Sequence, residues 1–85
     1  MYILRQARRF KKDFKKLEKR TQVRILEKLS LLAAGRWKQL DLQKLKGSRD
    51  SYRLKSGDYR ILFEKMKTEL VIILVSVRHR KESYR

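Results

Sequence analysis

Apolar positions along this chain change from helix-like to strand-like spacing at about its midpoint. Tyr2 to Arg5 predicts a short first strand. Ala7, Phe10, Phe14 and Leu17 then recur at three- and four-residue steps, one stripe of a helix. A second helix follows with Val23, Ile25, Leu26, Leu29 and Leu32. Lys19 and Arg20 suit the negative pole of the first helix, Thr21 is placed to cap the second, and Gly35 to stop it. Residues 36–50 carry Trp37, Leu40, Leu42 and Leu45 without a clear period. A structureless connection of that length is uncommon in a compact domain, so it holds an extra helical turn or has a job. Trp37 reads as a packing anchor, the alternative being a platform for base stacking.

From Ser51 to Arg60, SYRLKSGDYR, the pattern is two strands joined at a turn. With Ser56 and Gly57 as a two-residue loop, Lys55 faces Asp58, Leu54 faces Tyr59, and Arg53 faces Arg60. Tyr52, Leu54, Tyr59, Ile61 and Phe63 share the opposite face and give the hairpin a side to press on a core. Two arginines meeting directly, with Lys55 beside them, destabilise a hairpin unless a polyanion lies there.

Residues 65–69 form a second turn region, and Leu70 to Val77 predicts another strand. Its run LVIILV is apolar at both parities, as in a central strand covered on both sides. If Val71, Ile73, Val75 and Val77 face the helices, Leu70, Ile72 and Leu74, with Leu62, need other cover, which the rest of the chain is too short to supply. A partner protein is the expected cover, with self-dimerisation the alternative. The elements add up to one α+β domain over residues 1–85, a small antiparallel sheet with an N-terminal helical hairpin packed on one face.

Charge changes what this domain is expected to meet. Twenty-five Lys and Arg oppose nine Asp and Glu, a net charge of +16 in 85 residues. That self-repulsion exceeds what solubility needs and calls for RNA, DNA, an anionic membrane or an acidic protein. Lys11, Lys12, Lys15, Lys16 and Lys19, with Arg8 and Arg9, coat the outer sides of the first helix. They form either a solvated surface or a phosphate-binding one. Absent cysteine, no disulfide or thiolate metal site is expected, and no segment reads as a membrane span or secretory signal, so the expectation is a soluble, cytoplasmic protein with no membrane partner.

The candidate chemistry is as notable for what it lacks. One histidine and scattered carboxylates build no metal cluster and no paired-histidine nuclease, and there is neither a Gly-rich phosphate loop nor a Ser-His-Asp set. No cofactor is expected. In the last stretch, SVRHRKESYR, alternation puts Ser76, Arg78 and Arg80 on one face, where Arg80 can join Arg53, Lys55 and Arg60. Cations plus Tyr84 suffice for cleaving RNA with its own 2′-hydroxyl, which needs positioning, charge stabilisation at the phosphate and two proton transfers. His79 reads as a strand-end residue satisfying local hydrogen bonds, the alternative being catalysis.

The segments LKGSRDSYRLKSGDYRI and SVRHRKESY, with the FKKDFKKL helix before them, resemble the RelE and ParE superfamily of bacterial and archaeal toxins. The resemblance implies a RelE-like fold and a ribosome-dependent endoribonuclease that cuts mRNA in the A site. It implies a cognate acidic antitoxin as partner, the ribosome and mRNA as targets and, through the antitoxin, operator DNA. It assigns the active site to Arg53, Lys55, Arg60, Arg80 and Tyr84. Lys55, crowded by Arg53 and Arg60, is then a workable general base, and Arg60 and Arg80 would hold the charged phosphorane. The helix lysines would dock ribosomal RNA, and the antitoxin would cover Leu62, Ile72 and Leu74. A gyrase poison of the ParE kind and a non-catalytic nucleic-acid-binding module are the competing expectations.

Overall fold

The computed structural model describes residues 1–66 and 68–83. The elements run β1 (Ile3–Gln6), α1 (Arg8–Lys15), α2 (Lys19–Ala33), a 3-10 turn (Trp37–Gln39), β2 (Asp41–Lys44), β3 (Ser51–Ser56), β4 (Tyr59–Lys65), β5 (Val71–His79) and α3 (Arg80–Ser83). They form an α+β fold whose one sheet has the order β1-β5-β4-β3-β2. All neighbours are antiparallel except β1 and β5, so the expected antiparallel sheet is mixed at one edge. The irregular stretch after Gly35 supplies the 3-10 turn and the edge strand β2.

The helices cover one face of the sheet. Phe10 of α1 and Ile25, Leu29 and Leu32 of α2 are buried with Leu54, Ile61, Phe63, Ile72, Leu74 and Val77 of the strands. Val23 and Leu26, expected in the same stripe, are exposed, because the buried spacing of four then three residues selects only one side of α2. α2 starts at Lys19 after Glu18, so Thr21 lies inside it rather than capping it, and Lys19 stands at the positive pole of α2. Its end is a complete Schellman motif: the Arg36 N–H donates to the Leu31 carbonyl at 2.9 Å and the Gly35 N–H to that of Leu32 at 3.1 Å. Gly35 takes φ +78° there, which a side chain resists. Trp37 is the expected packing anchor. Its indole donates to the Leu32 carbonyl at 3.1 Å, its ring lies 5.3 Å from that of Tyr2, and the Lys65 ammonium sits 4.3 Å above it.

Two registers differ from expectation. The β3–β4 hairpin turns at Gly57 and Asp58, pairing Ser56 with Tyr59, Lys55 with Arg60, Leu54 with Ile61 and Arg53 with Leu62. Gly57 has φ +57° and no other turn residue has positive φ, which fits a turn needing glycine at its first central position. The second difference is the phase of β5. Ile72 and Leu74 lie in the core at 0% and 1% exposure, so these two expected antitoxin contacts present no surface. Leu62 pairs with Ser76 and Phe63 with Leu74, leaving Val75 as a bulge. The extra residue lets Leu74 and Val77 both point inward, and it turns Val71, Ile73 and Val75 to the uncovered face.

Candidate nucleic-acid interface

On the face without helices, the strands bring like charges into register. Asp41 of β2 pairs with Lys55 of β3, Lys55 with Arg60 of β4, and Arg60 with Arg78 of β5. Three cations thus stand side by side across three strands, each step about 4.8 Å. The next row reads Gln43, Arg53, Leu62 and Ser76. Arg53, Lys55 and Arg60 are therefore brought together as expected, although Arg60 faces Lys55 instead of Arg53.

The cations differ in how firmly they are held. Arg60 Nη1 donates to the carbonyls of Gly57 and Tyr59, both at 3.0 Å, so one arm of its fork is tied to the turn and the other is available. Arg53, Lys55 and Arg78 make no ion pair or side-chain hydrogen bond to another described residue. Arg80 does not continue the strand row. It opens α3, its N–H donates to the Asp58 carbonyl at 2.6 Å, and its Nε lies 3.7 Å from the Asp58 carboxylate. These bonds fix it beside the hairpin turn, at the rim of the cationic surface. Tyr84 lies outside the described residues. His79 behaves locally: its Nδ1 accepts from the Lys81 N–H at 3.2 Å and its ring meets Tyr59 edge-on, on the helix-covered face.

Two adjoining hollows occupy this surface. One, of about 240 Å³, is lined by Asp41, Gln43, Arg53, Lys55 and Arg60. The other, of about 340 Å³, is lined by Arg9, Leu45, Arg53, Arg60, Leu62, Val75, Ser76 and Arg78. Arg9 reaches it because of a length mismatch at the sheet edge. β1 pairs β5 only from Val71 to Leu74, and α1 lies against the remaining edge, where the Val77 N–H donates to Asp13 Oδ2 at 3.3 Å. Arg9, one turn before Asp13 and 3.8 Å from its carboxylate, is carried to the open face. Alternation alone signals Arg78, since it shares parity with Ser76. Nothing in the periodicity of α1 signals Arg9, whose position depends on where the helix docks.

Of the expected docking cations, Lys12 and Lys16 line a shallow surface hollow with Arg8, Arg9 and Asp13, while Lys11, Lys15 and Lys19 are exposed and outside its lining. Among the described residues no group of three or more His, Asp or Glu could hold a metal, and no helix is long and apolar enough to cross a membrane.

The chain is thus a small α+β protein with a mixed sheet, helices on one face and a mainly cationic groove on the other. The chain is similar to the RelB–RelE antitoxin–toxin complex from Methanococcus jannaschii, at 30% identity over 94% of both chains and a TM-score of 0.74. It is also similar to the archaeal RelE–RelB complex from Pyrococcus horikoshii OT3, at 26% identity, 93% and 94% coverage and a TM-score of 0.78. The isolated E. coli RelE toxin matches at 26% identity over 99% of this chain and 94% of that one, with a TM-score of 0.73. No curated protein matches the sequence. Residues 4–84 match the family described as ParE toxin of type II toxin-antitoxin system, parDE. The protein belongs to this family, within the RelE/ParE superfamily of toxins.

Proposed function

We propose that this toxin is an endoribonuclease that cuts mRNA in the ribosomal A site and so stops translation. The observation that carries the reading is the register of Lys55, Arg60 and Arg78 across three neighbouring strands, with Arg53 in the next row. Like charges held at directly paired positions cost stability, and the arrangement makes sense where a phosphodiester lies among them. The likeness to RelE structures supports the same reading.

In the proposed reaction the substrate's 2′-oxygen attacks the adjacent phosphorus, the bond to the 5′-oxygen breaks, and a cyclic phosphate and a 5′-hydroxyl result. Lys55 takes the 2′-hydroxyl proton. The unoccupied arm of Arg60, with Arg53 and Arg80, binds the phosphate oxygens as their charge grows. Tyr84, outside the described residues, delivers the proton to the leaving oxygen or stacks on a base. An acidic antitoxin is the partner this charge calls for, and RelE in the archaeal structures is itself complexed with RelB. Leu62, from the expected antitoxin set, remains on the open face to meet it, and operator DNA would be reached through that complex. Lys11, Lys12, Lys15, Lys16 and Lys19 are assigned to ribosomal RNA.

Mapping mRNA ends in a translating extract tests this. Cuts at A-site codons that vanish in the Arg60→Ala, Arg80→Ala double variant are expected, with free RNA cut poorly. The family's description as ParE favours a second reading, inhibition of DNA gyrase. Loss of supercoiling activity with transcripts left whole would establish that reading instead.

A further inference from the structure

We infer that the larger hollow is a base-binding subsite, in which one nucleobase of single-stranded RNA lies on Leu45, Leu62 and Val75 between the guanidinium planes of Arg9 and Arg78. The inference rests on the RNA-cleaving reading for the identity of the polyanion and adds to it a place for a base.

The two hollows share Arg53 and Arg60 but differ in the rest of their lining. Beyond those two, the smaller one has only polar groups, Asp41, Gln43 and Lys55. The larger one adds the aliphatic side chains of Leu45, Leu62 and Val75 to its lining, together with Arg9, Ser76 and Arg78. A phosphate needs no aliphatic floor, and an aliphatic ligand needs no ring of arginines. A nucleotide needs both: its phosphate sits at the shared Arg53–Arg60 seam, its ribose on the polar side, and its base on the aliphatic side. A volume of about 340 Å³ is at the lower end of small-molecule sites, suited to one base and not to an extended peptide.

Among the described residues that line this hollow, the groups able to stack on a ring are arginines. Tyr52, Tyr59 and Phe63 have the parity of the buried Leu54 and Ile61, on the face under the helices. Guanidinium groups stack on planar rings and hydrate weakly, and Arg78 has no partner among the described residues to hold it away. Among the described residues Arg9 is tethered only by the 3.8 Å contact with Asp13, on an exposed side chain. The β5 bulge contributes directly, since it is what turns Val75 toward this floor.

The test is an abasic walk. Short single-stranded RNA with 2′-O-methyl sugars, which cannot be cut, is titrated against the protein at low salt while one abasic sugar is moved through the sequence. One position is expected to weaken binding about tenfold, the worth of one stacked base, with its neighbours nearly silent. Leu62→Asn and Arg78→Gln should abolish the dependence on that position, and Leu62→Asn should leave the salt slope unchanged because its phosphate contacts remain. A flat walk on the native protein, no saturable binding, or an undiminished positional effect in both variants overturns the subsite. mRNA cutting in the extract is a separate readout. Cuts with a flat walk refute the base site alone, whereas a positional effect without cuts refutes the nuclease and keeps the base site.

Discussion

Asp13 and Val77, 64 residues apart in the chain, are joined by a hydrogen bond from the Val77 backbone N–H to the Asp13 carboxylate. This bond closes the part of the β5 edge that β1 is too short to reach, and it fixes how α1 lies along the sheet. Asp13→Ala leaves a nearly buried N–H without a partner, for which a cost of about 1–3 kcal/mol is expected. It also releases Arg9. Chemical denaturation should report the drop in stability, and RNA affinity should fall beyond what the unfolded fraction explains. A variant as stable as the parent would show that packing alone seats α1.

Lys55, Arg60 and Arg78 repel one another across the open face. Arg78→Thr removes one end of the row and puts a strand-favouring residue in its place. The relieved repulsion is expected to be about 0.2–1 kcal/mol, which for a domain of this size is a rise of up to about 4–8 °C in Tm. Because salt screens exposed charges, with a Debye length of about 10 Å at 0.1 M, the gain should shrink as ionic strength rises. The same variant should bind RNA less tightly. Stability rising while binding falls is the signature of charges kept for a ligand; a fall in both would mean that the row is structural.

Gly57 occupies a backbone conformation that residues with side chains rarely adopt, with open space where a Cβ would stand. Gly57→Ala therefore isolates the backbone effect, expected to destabilise by about 1–3 kcal/mol. The hairpin also holds Arg60 through the Gly57 carbonyl and Arg80 through that of Asp58. Activity should thus drop more steeply than stability. Equal falls in thermal midpoint and in mRNA cutting would indicate that the turn only supports the fold.

The phase of β5 gives a paired prediction. Ile72 is fully buried under the helices, whereas Ile73 is partly exposed on the other face. Ile72→Ala should cost about 2–5 kcal/mol and Ile73→Ala well under half as much. Urea midpoints of the two variants decide it. The reverse order would restore the phase that the unbulged pattern implies.

That reversal marks where the sequence stops being legible. The stripe of Phe10 with Phe14 announces its buried side because charged residues fill the rest of α1, and Ile25 with Leu29 and Leu32 does so less sharply because Val23 and Leu26 are apolar and exposed. LVIILV does not, since both parities are apolar, and the bulge at Val75 breaks the alternation by which Val77 would set the phase. The hairpin turn lies one residue beyond its expected place, because Ser56–Gly57 and Gly57–Asp58 both offer glycine in a two-residue loop. Even so, Arg53, Lys55 and Arg60 stay on the same face, since moving the loop by one residue alters the partners and not the parity. Arg9 has no such signal, for its place at the groove is a tertiary consequence of the short β1.

The helix lysines carry the last prediction. Lys11, Lys12, Lys15 and Lys16 sit on the outer surface of α1, away from the buried Phe10, so replacing them with Glu disturbs no core packing, and far-UV circular dichroism should be unchanged. Each replacement lowers the net charge by two, so the four together take it from +16 to +8. If these side chains touch ribosomal RNA, ribosome affinity falls sharply at low salt. The slope of log affinity against log salt should also become shallower by about 0.7–0.9 for each phosphate the protein no longer neutralises. Binding of short RNA in the groove should fall less, because Arg53, Lys55, Arg60 and Arg78 are intact, so the two affinities separate the surfaces. Ribosome affinity and salt slope both equal to the parent's would remove the helix from the docking surface and leave the open sheet face to account for all recognition.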